Sequence, residues 1–434
     1  MLKLSPTWPF NPAKVPFFYG WIIWIFSTLG YLFSIPGQTM GMAVFTDAFI
    51  DTLGMSRTEL SMAYLFGTVG SSLFLTRAGK LYDIHGGRIM ITLSSLVLGL
   101  MVLFLSFVDV MADLLGGGAF VLMLIGYFGV RFSGQGVLTS CSRNVLLHWF
   151  VKRRGLVTGI RGIFVSFGFS IAPLLIAWLM LSVGWRGALW SMAALVGIGF
   201  CILALVFIRD KPESIGLLPD GEQPLPGDKA SSIAVEHKNK SLAQARRDPV
   251  FWIYSASLGM HALFGTALTF HVVSIFEEAG RSKTEAFGYF LPSAVFSTVM
   301  NLFASWLIDQ HRLKPFLISM LVLFLLGAYG LLNLDTAWGF WLLAAGFGAG
   351  GGLWGVISNL AYIRLYGPLN LGAISGLNTS LTVFLSAVGP AAFSLALDFS
   401  GDYQLVIKVC IAALVLLLLT AMLVKQDELA ESAY

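Results

Sequence analysis

Acidic residues are missing from the interior of every long apolar run in this chain of 434 residues. Charged residues of all kinds make up only 12% of it, against 57% hydrophobic residues, with a mean hydropathy of +0.81. A soluble protein carries roughly twice that charged fraction. Only three cysteines occur, Cys141, Cys201 and Cys410, in or at the end of apolar runs and far apart in sequence. That spacing builds neither a disulfide framework nor a metal site. No phosphate-binding glycine loop and no Ser/His/Asp constellation stands out, so nucleotide hydrolysis and nucleophilic catalysis have no carrier and no cofactor is implied. Nucleic acid is not an expected partner. The polar–apolar alternation of a membrane barrel is absent. A cleavable leader is not expected either: the stretch up to Pro16 is rich in proline and poor in lysine, and the first apolar run continues as a full span.

What is present is a series of apolar runs, each long enough to cross a bilayer at about 20 residues. The reading places spans at 17–46, 58–78, 88–109, 117–147, 155–181 and 185–208. A second set falls at 251–276, 284–308, 314–333, 338–365, 371–397 and 403–424. The expected architecture is all-α, with twelve transmembrane helices in two six-helix bundles, residues 1–208 and 251–434. Between them lies a polar linker, 209–250, with a short surface helix near 241–247. Most of the 27 basic residues fall on the side of the termini and linker. The other side carries Arg57, Arg186, Arg281, Lys283 and Lys408. The positive-inside bias therefore places both termini in the cytoplasm. The protein is expected in the cell (inner) membrane, as a monomer in the lipid bilayer.

The two halves repeat. "GKLYDIHGGRIMI" after the second span matches "ASWLIDQHRLKPFLI" after the eighth: Asp83 pairs with Asp309, His85 with His311 and Arg88 with Lys314, all at one sequence offset. "RGLVTGI" opens the fifth span and "LGAISGL" the eleventh. There Gly155, Gly159 and Pro173 pair with Gly372, Gly376 and Pro390, again at a single common offset. Parallel repeats of this kind build a central site between the halves near mid-membrane. The loop "GKLYDIHGGR" resembles the G-x-L-x-D-x-x-G-x-R motif of major facilitator superfamily transporters, and it lies at the motif's place between spans two and three. "RFSGQG" in the fourth span is similar to that superfamily's R-x-x-x-G-x-G pattern, with imperfect glycine spacing. "GWRGALW" and "DKPESIGLLPDG" resemble the bacterial oxalate/formate and monocarboxylate branch.

The resemblance implies a carrier working by alternating access, with Asp83 stabilising the outward-facing state. The conformational residues expected on this reading are Gly79, Asp83, Gly87, Arg88, Arg143, Pro173, Asp309 and Pro390. Glycines there allow close helix approach, and prolines free a backbone carbonyl and permit bending. The substrate residues come from polar groups inside spans, which hydrocarbon penalises. Arg131 sits about 12 residues, or about 18 Å, into the fourth span. Gln135 lies one turn further on the same face. Tyr31 and Gln38 share a face of the first span. His261, His271, Asn301, Trp354, Asn359 and Asn378 complete the set.

Two absences shape the substrate. No Asp or Glu lies well inside a span, so only the histidines are available to titrate if a coupling proton, rather than a counter-substrate, is the partner. Spans 284–308 and 371–397 hold no Lys or Arg, so the anion clamp of the oxalate branch is missing. Arg131 either binds a small organic anion or is held by amides and carbonyls as a packing element. An exporter of neutral or aromatic compounds and a transporter-derived receptor remain as alternatives.

Overall fold

The computed structural model describes residues 5–222 and 239–426; linker residues 223–238 and the tail from 427 lie outside the described residues. All regular structure among the described residues is helical. Among them, ten helices are long and apolar enough to cross a membrane. One of these, Arg154–Phe207, makes two passes, because Gly184 adopts φ +73° and turns the chain between the fifth and sixth spans. The second span is a further pass. It is built from Arg57–Ser72 and the first turn of Leu75–His85, neither of which is long enough to cross alone. Twelve passes result among the described residues, in a polytopic membrane protein. The short surface helix of the linker is present at Leu242–Arg247, begun by a Ser241–Gln244 capping box.

The internal repeat extends to helix caps. "SRTEL" opens the second span and "SKTEA" the eighth. Glu59 N donates to Ser56 Oγ (3.1 Å) and Ser56 N to Glu59 Oε2 (2.8 Å). Glu285 N and Ser282 Oγ, and Ser282 N and Glu285 Oε2, make the same two bonds at 3.3 and 3.0 Å. Each box satisfies two otherwise unpaired donors at a helix start. The matching residues stand at the same sequence offset as Asp83 and Asp309.

The first span departs from the expected single helix. Gly20–Leu32 is helical, Ile35–Gly37 is a 3-10 turn, and Gln38 is extended (φ −91°, ψ 155°). Pro36 cannot donate to the ladder, so the helix stops before it. The fourth span is also irregular: Ala119–Val130 and Thr139–Trp149 are α-helical, while Arg131–Leu138 is a π-helix. The break and the π-segment pack against each other, and a Cβ at Gly37 would overlap the Val130 carbonyl.

The chain divides into two compact units. The first holds the chain up to Lys152, resumes at Ile163 into the linker, and includes Pro368–Ser380. The second holds Arg153–Gly162, Lys238–Gly367 and the remainder from Leu381. The opening of the eleventh span thus belongs to the first unit and the opening of the fifth span to the second.

Candidate functional site

In the first unit, the segment after the second span meets the start of the eleventh. Asp83 accepts from the backbone N–H groups of Gly372 (2.7 Å) and Ala373 (2.8 Å). Helix starts leave such donors unpaired and favour anions. Glycine is required at this crossing, since a Cβ at Gly79 would overlap the Gly372 carbonyl. Burial raises the Asp83 carboxyl to about 6, against the pull of the Ala373 and Gly372 amides and of Lys211. Asn144 donates to Ser375 Oγ (3.0 Å) and Arg143 to Thr379 Oγ1 (3.5 Å), extending the contact along both helices.

The second unit contains the counterpart. Asp309 accepts from Gly155 N (2.7 Å) and Leu156 N (3.1 Å) at the start of the fifth span. A Cβ at Gly155 would overlap the Ser305 carbonyl. The residues that match in the sequence repeat therefore exchange partners: the Asp83 loop holds 372–373, and the Asp309 loop holds 155–156.

Arg88 and Gly87 do not join this contact. The Arg88 guanidinium donates to the carbonyls of Leu205 (2.8 Å), Ser5 (3.2 Å) and Trp8 (2.8 Å), and stacks over the Trp8 ring. Arg209 donates to Pro6 and Trp8 carbonyls beside it. The Asp210 carboxylate accepts from Arg88 N, and burial pushes its carboxyl up. Arg88 thus straps the N-terminal segment to the first unit. It turns away from Asp83 because the chain reverses at Gly86, φ +85°. Gly87 lies against Val145 of the fourth span.

Arg131 is 3% exposed. It donates to the Gly37 carbonyl (3.1 Å) and Thr39 Oγ1 (3.4 Å) and lies 5.2 Å from the Tyr64 ring centre. Tyr64 in turn donates to Thr39 (2.7 Å) and packs edge-on against Tyr127. No carboxylate lies within ion-pair distance of Arg131 among the described residues, and its Nε has no acceptor there. Gln135 Oε1, four residues on, is also buried without a donor among the described residues. Tyr31 and Gln38 do not share one helix face, because the break at Pro36 separates them. Gln38 donates to Ser34 Oγ (3.1 Å) within the break.

In the second unit, His261 stacks on Phe324 at 4.6 Å and leans on Trp354, with Nδ1 buried and unpartnered. Trp354 donates to the Leu258 carbonyl (3.0 Å), and Asn301 to that of Gly352 (3.2 Å). These three read as packing elements in this conformation. His271 sits in a polar network. Its Nε2 lies 3.0 Å from the Pro390 carbonyl and 3.3 Å from Ser394 Oγ, and its Nδ1 3.2 Å from Tyr403 Oη. Tyr403 also reaches Ser274 Oγ (3.1 Å). A carbonyl only accepts, so Nε2 carries hydrogen and Nδ1 is left as an acceptor toward Tyr403. The helices run through Pro173 and Pro390, with Gly184 as the one non-helical residue of Arg154–Ala194. Asn378 is buried in the first unit.

The reading of the spans missed Arg161. It lies in the opening of the fifth span, 2% exposed, and donates to Asn359 Oδ1 (2.9 Å) in the second unit. Arg161 and Arg131 are thus both charges buried within spans. The signal was available: Arg161 and Asn378 stand at the same sequence offset as the glycine and proline pairs of the fifth and eleventh spans.

These features belong to a class of two-repeat helical membrane proteins with reciprocal loop-to-helix contacts. The Major Facilitator Superfamily model matches residues 27–390, and the chain belongs to that superfamily. A probable L-galactonate transporter of Escherichia coli (strain K12) is 27% identical over 202 residues, 46% of this chain and 39% of that protein. A probable hexose phosphate transport protein of Chlamydia pneumoniae is 24% identical over 207 residues, 46% and 40% of the two chains. The matches span about two-fifths of the length of these relatives. Among solved structures, a proton:xylose symporter bound to 6-bromo-6-deoxy-D-glucose aligns with a TM-score of 0.70 at 13% identity, over 97% of this chain and 98% of that one. The human organic anion transporter MFSD10 aligns at 0.61 and 16%, over 93% and 99%. At these identities the structures show the shared fold alone.

Proposed function

We propose that the protein is a secondary transporter that moves a small organic anion, a monocarboxylate or sugar acid, by alternating access. The observation that carries this reading is Arg131: a buried guanidinium met by one carbonyl, one hydroxyl and an aromatic face, with no carboxylate among the described residues to balance it. A permanent charge of this kind inside a span is costly unless an anion visits it. The guanidinium fork matches a carboxylate's geometry. The relative named a probable L-galactonate transporter makes sugar acids the first compounds to test.

Asp83 and Asp309 act as the conformational latches, each releasing its helix start as the transporter cycles. His271 supplies the position for a coupling proton, because Nδ1 faces Tyr403, whose hydroxyl has a second acceptor in Ser274. The basic bias of the loops supports a cytoplasmic side for the termini and linker. A thermal-shift screen of purified protein tests the substrate class. Lactate, oxalate and L-galactonate are compared with galactose and with a hexose phosphate. A binder stabilises the folded state by mass action. A rise with a carboxylate in wild type that vanishes in Arg131→Gln supports the reading. A rise only with neutral compounds overturns it.

A further inference from the structure

One groove in the second unit belongs to none of these contacts. It has a volume of about 540 Å³ and lies between the eighth span (Lys283–Ile308) and the ninth (Leu313–Leu332). Both spans pack along the tenth, Ala337–Tyr366, and barely against each other, which leaves a gap floored by Leu353. Phe303, Leu307, Phe316 and Leu323 make its walls. The latch uses another stripe of the same helix: Asn301, Ser305 and Asp309, spaced four apart, meet Gly352 and the fifth-span start. Phe303 is 55% exposed on the groove's side. In a membrane-spanning helix pair that opening faces lipid.

The rim is basic. His311 and Arg312 line the groove in the turn joining the two spans. Arg312 is exposed, and its guanidinium has no hydrogen bond or ion pair among the described residues. The turn itself is fixed, since Arg364 donates to the carbonyls of Ile308 (2.7 Å) and His311 (2.9 Å). The nearest carboxylate in sequence, Asp309, is spent on the fifth-span amides. An apolar slot between two spans with a free cation at headgroup depth is complementary to one molecule class. We propose that this groove is a binding site for an anionic phospholipid, with an acyl chain along Phe303, Leu307 and Phe316 and the phosphate on Arg312. The occupied site adjoins the Asp309 latch in sequence. Basic pockets between spans on the side rich in Lys and Arg recognise such headgroups. The inference does not depend on the transported solute.

The test compares phosphatidylglycerol, phosphatidylcholine and glycerol 3-phosphate. Purified full-length protein in mixed micelles holding equal amounts of the two lipids is examined by native mass spectrometry. Wild type should retain phosphatidylglycerol about five-fold more than phosphatidylcholine, the preference one cation gives at about 1 kcal/mol. Arg312→Gln, an exposed position that folding does not need, should abolish the preference while total lipid retained stays near wild type. Glycerol 3-phosphate should not displace the lipid. Equal retention of both lipids by wild type, an undiminished preference in Arg312→Gln, or full displacement by glycerol 3-phosphate each overturns the proposal.

Discussion

Replacing Asp83 by Ala and by Asn separates two forces that act on the same latch. The carboxylate accepts two backbone N–H groups at the start of the eleventh span, at 2.7 and 2.8 Å. Losing a helix-start acceptor costs about 0.5–2 kcal/mol, which multiplies the released population by about two to thirty. Asp83→Ala should therefore release the latch at every pH. Burial works against the ionised form and lifts the carboxyl to about 6. A released loop has an ordinary carboxyl near about 3.9. The docked state thus binds the proton more tightly. Its advantage is complete below the ordinary carboxyl range and fades as pH rises through about 6. Asp83→Asn keeps one acceptor oxygen and no charge, so it should stay docked from pH 5 to pH 8. The assay is a spin-label distance between Ile84 and Leu369, both exposed in the first unit, with the native cysteines replaced. Wild type should show one short distance at pH 5 and a growing longer one by pH 8. Asp83→Asn should hold the short distance, and Asp83→Ala the mixed one, without pH dependence. An alanine variant indistinguishable from wild type would refute the latch.

Three further outcomes follow from other contacts. Gly372→Val should mimic Asp83→Ala in the same distance measurement, because its side chain would overlap the Gly79 carbonyl and the Asp83 carboxylate; an unchanged distance would show that the crossing has slack. Arg88→Ala should lower the melting temperature, since it strips donors from the carbonyls of Leu205, Ser5 and Trp8. Unsatisfied groups of this kind cost about 1–3 kcal/mol each where buried, and the distance assay on Asp83 should not move. His271→Gln should take up solute into proteoliposomes at a rate indifferent to an imposed pH gradient, whereas wild-type uptake should respond to it; equal responses would remove His271 from coupling.

Much of the architecture was legible because it follows from hydropathy and repetition. The apolar runs mark the passes, and the offsets pairing Asp83 with Asp309 and Gly155 with Gly372 name the four positions that form the two latches. That they exchange partners was not legible, because a repeat says which residues match and not which ones touch. Irregular helix was harder still. "IPGQ" announced a stop through Pro36, yet the apolar run continued across it and read as one span. The π-segment at Arg131–Leu138 has no periodic signature of its own, so the fourth span read as one continuous helix. Arg161 stands only six residues after Gly155 at the start of its span. Its burial arises from packing against Asn359, which is far away in sequence. Arg88 stands close to Asp83 in sequence, but a positive-φ glycine between them sends the two side chains to different partners.

The central claim is that Arg131 receives the carboxylate of the transported solute. Uptake of labelled L-galactonate and of galactose into proteoliposomes, for wild type, Arg131→Lys and Arg131→Gln at matched amounts of folded protein, tests it most directly. The account predicts uptake of the acid and not the neutral sugar by wild type. It predicts at least roughly ten-fold slower uptake by Arg131→Lys, for loss of about 1.4 kcal/mol or more of bidentate binding, and none by Arg131→Gln. Acid uptake that survives in folded Arg131→Gln, or wild-type uptake of galactose alone, would contradict it.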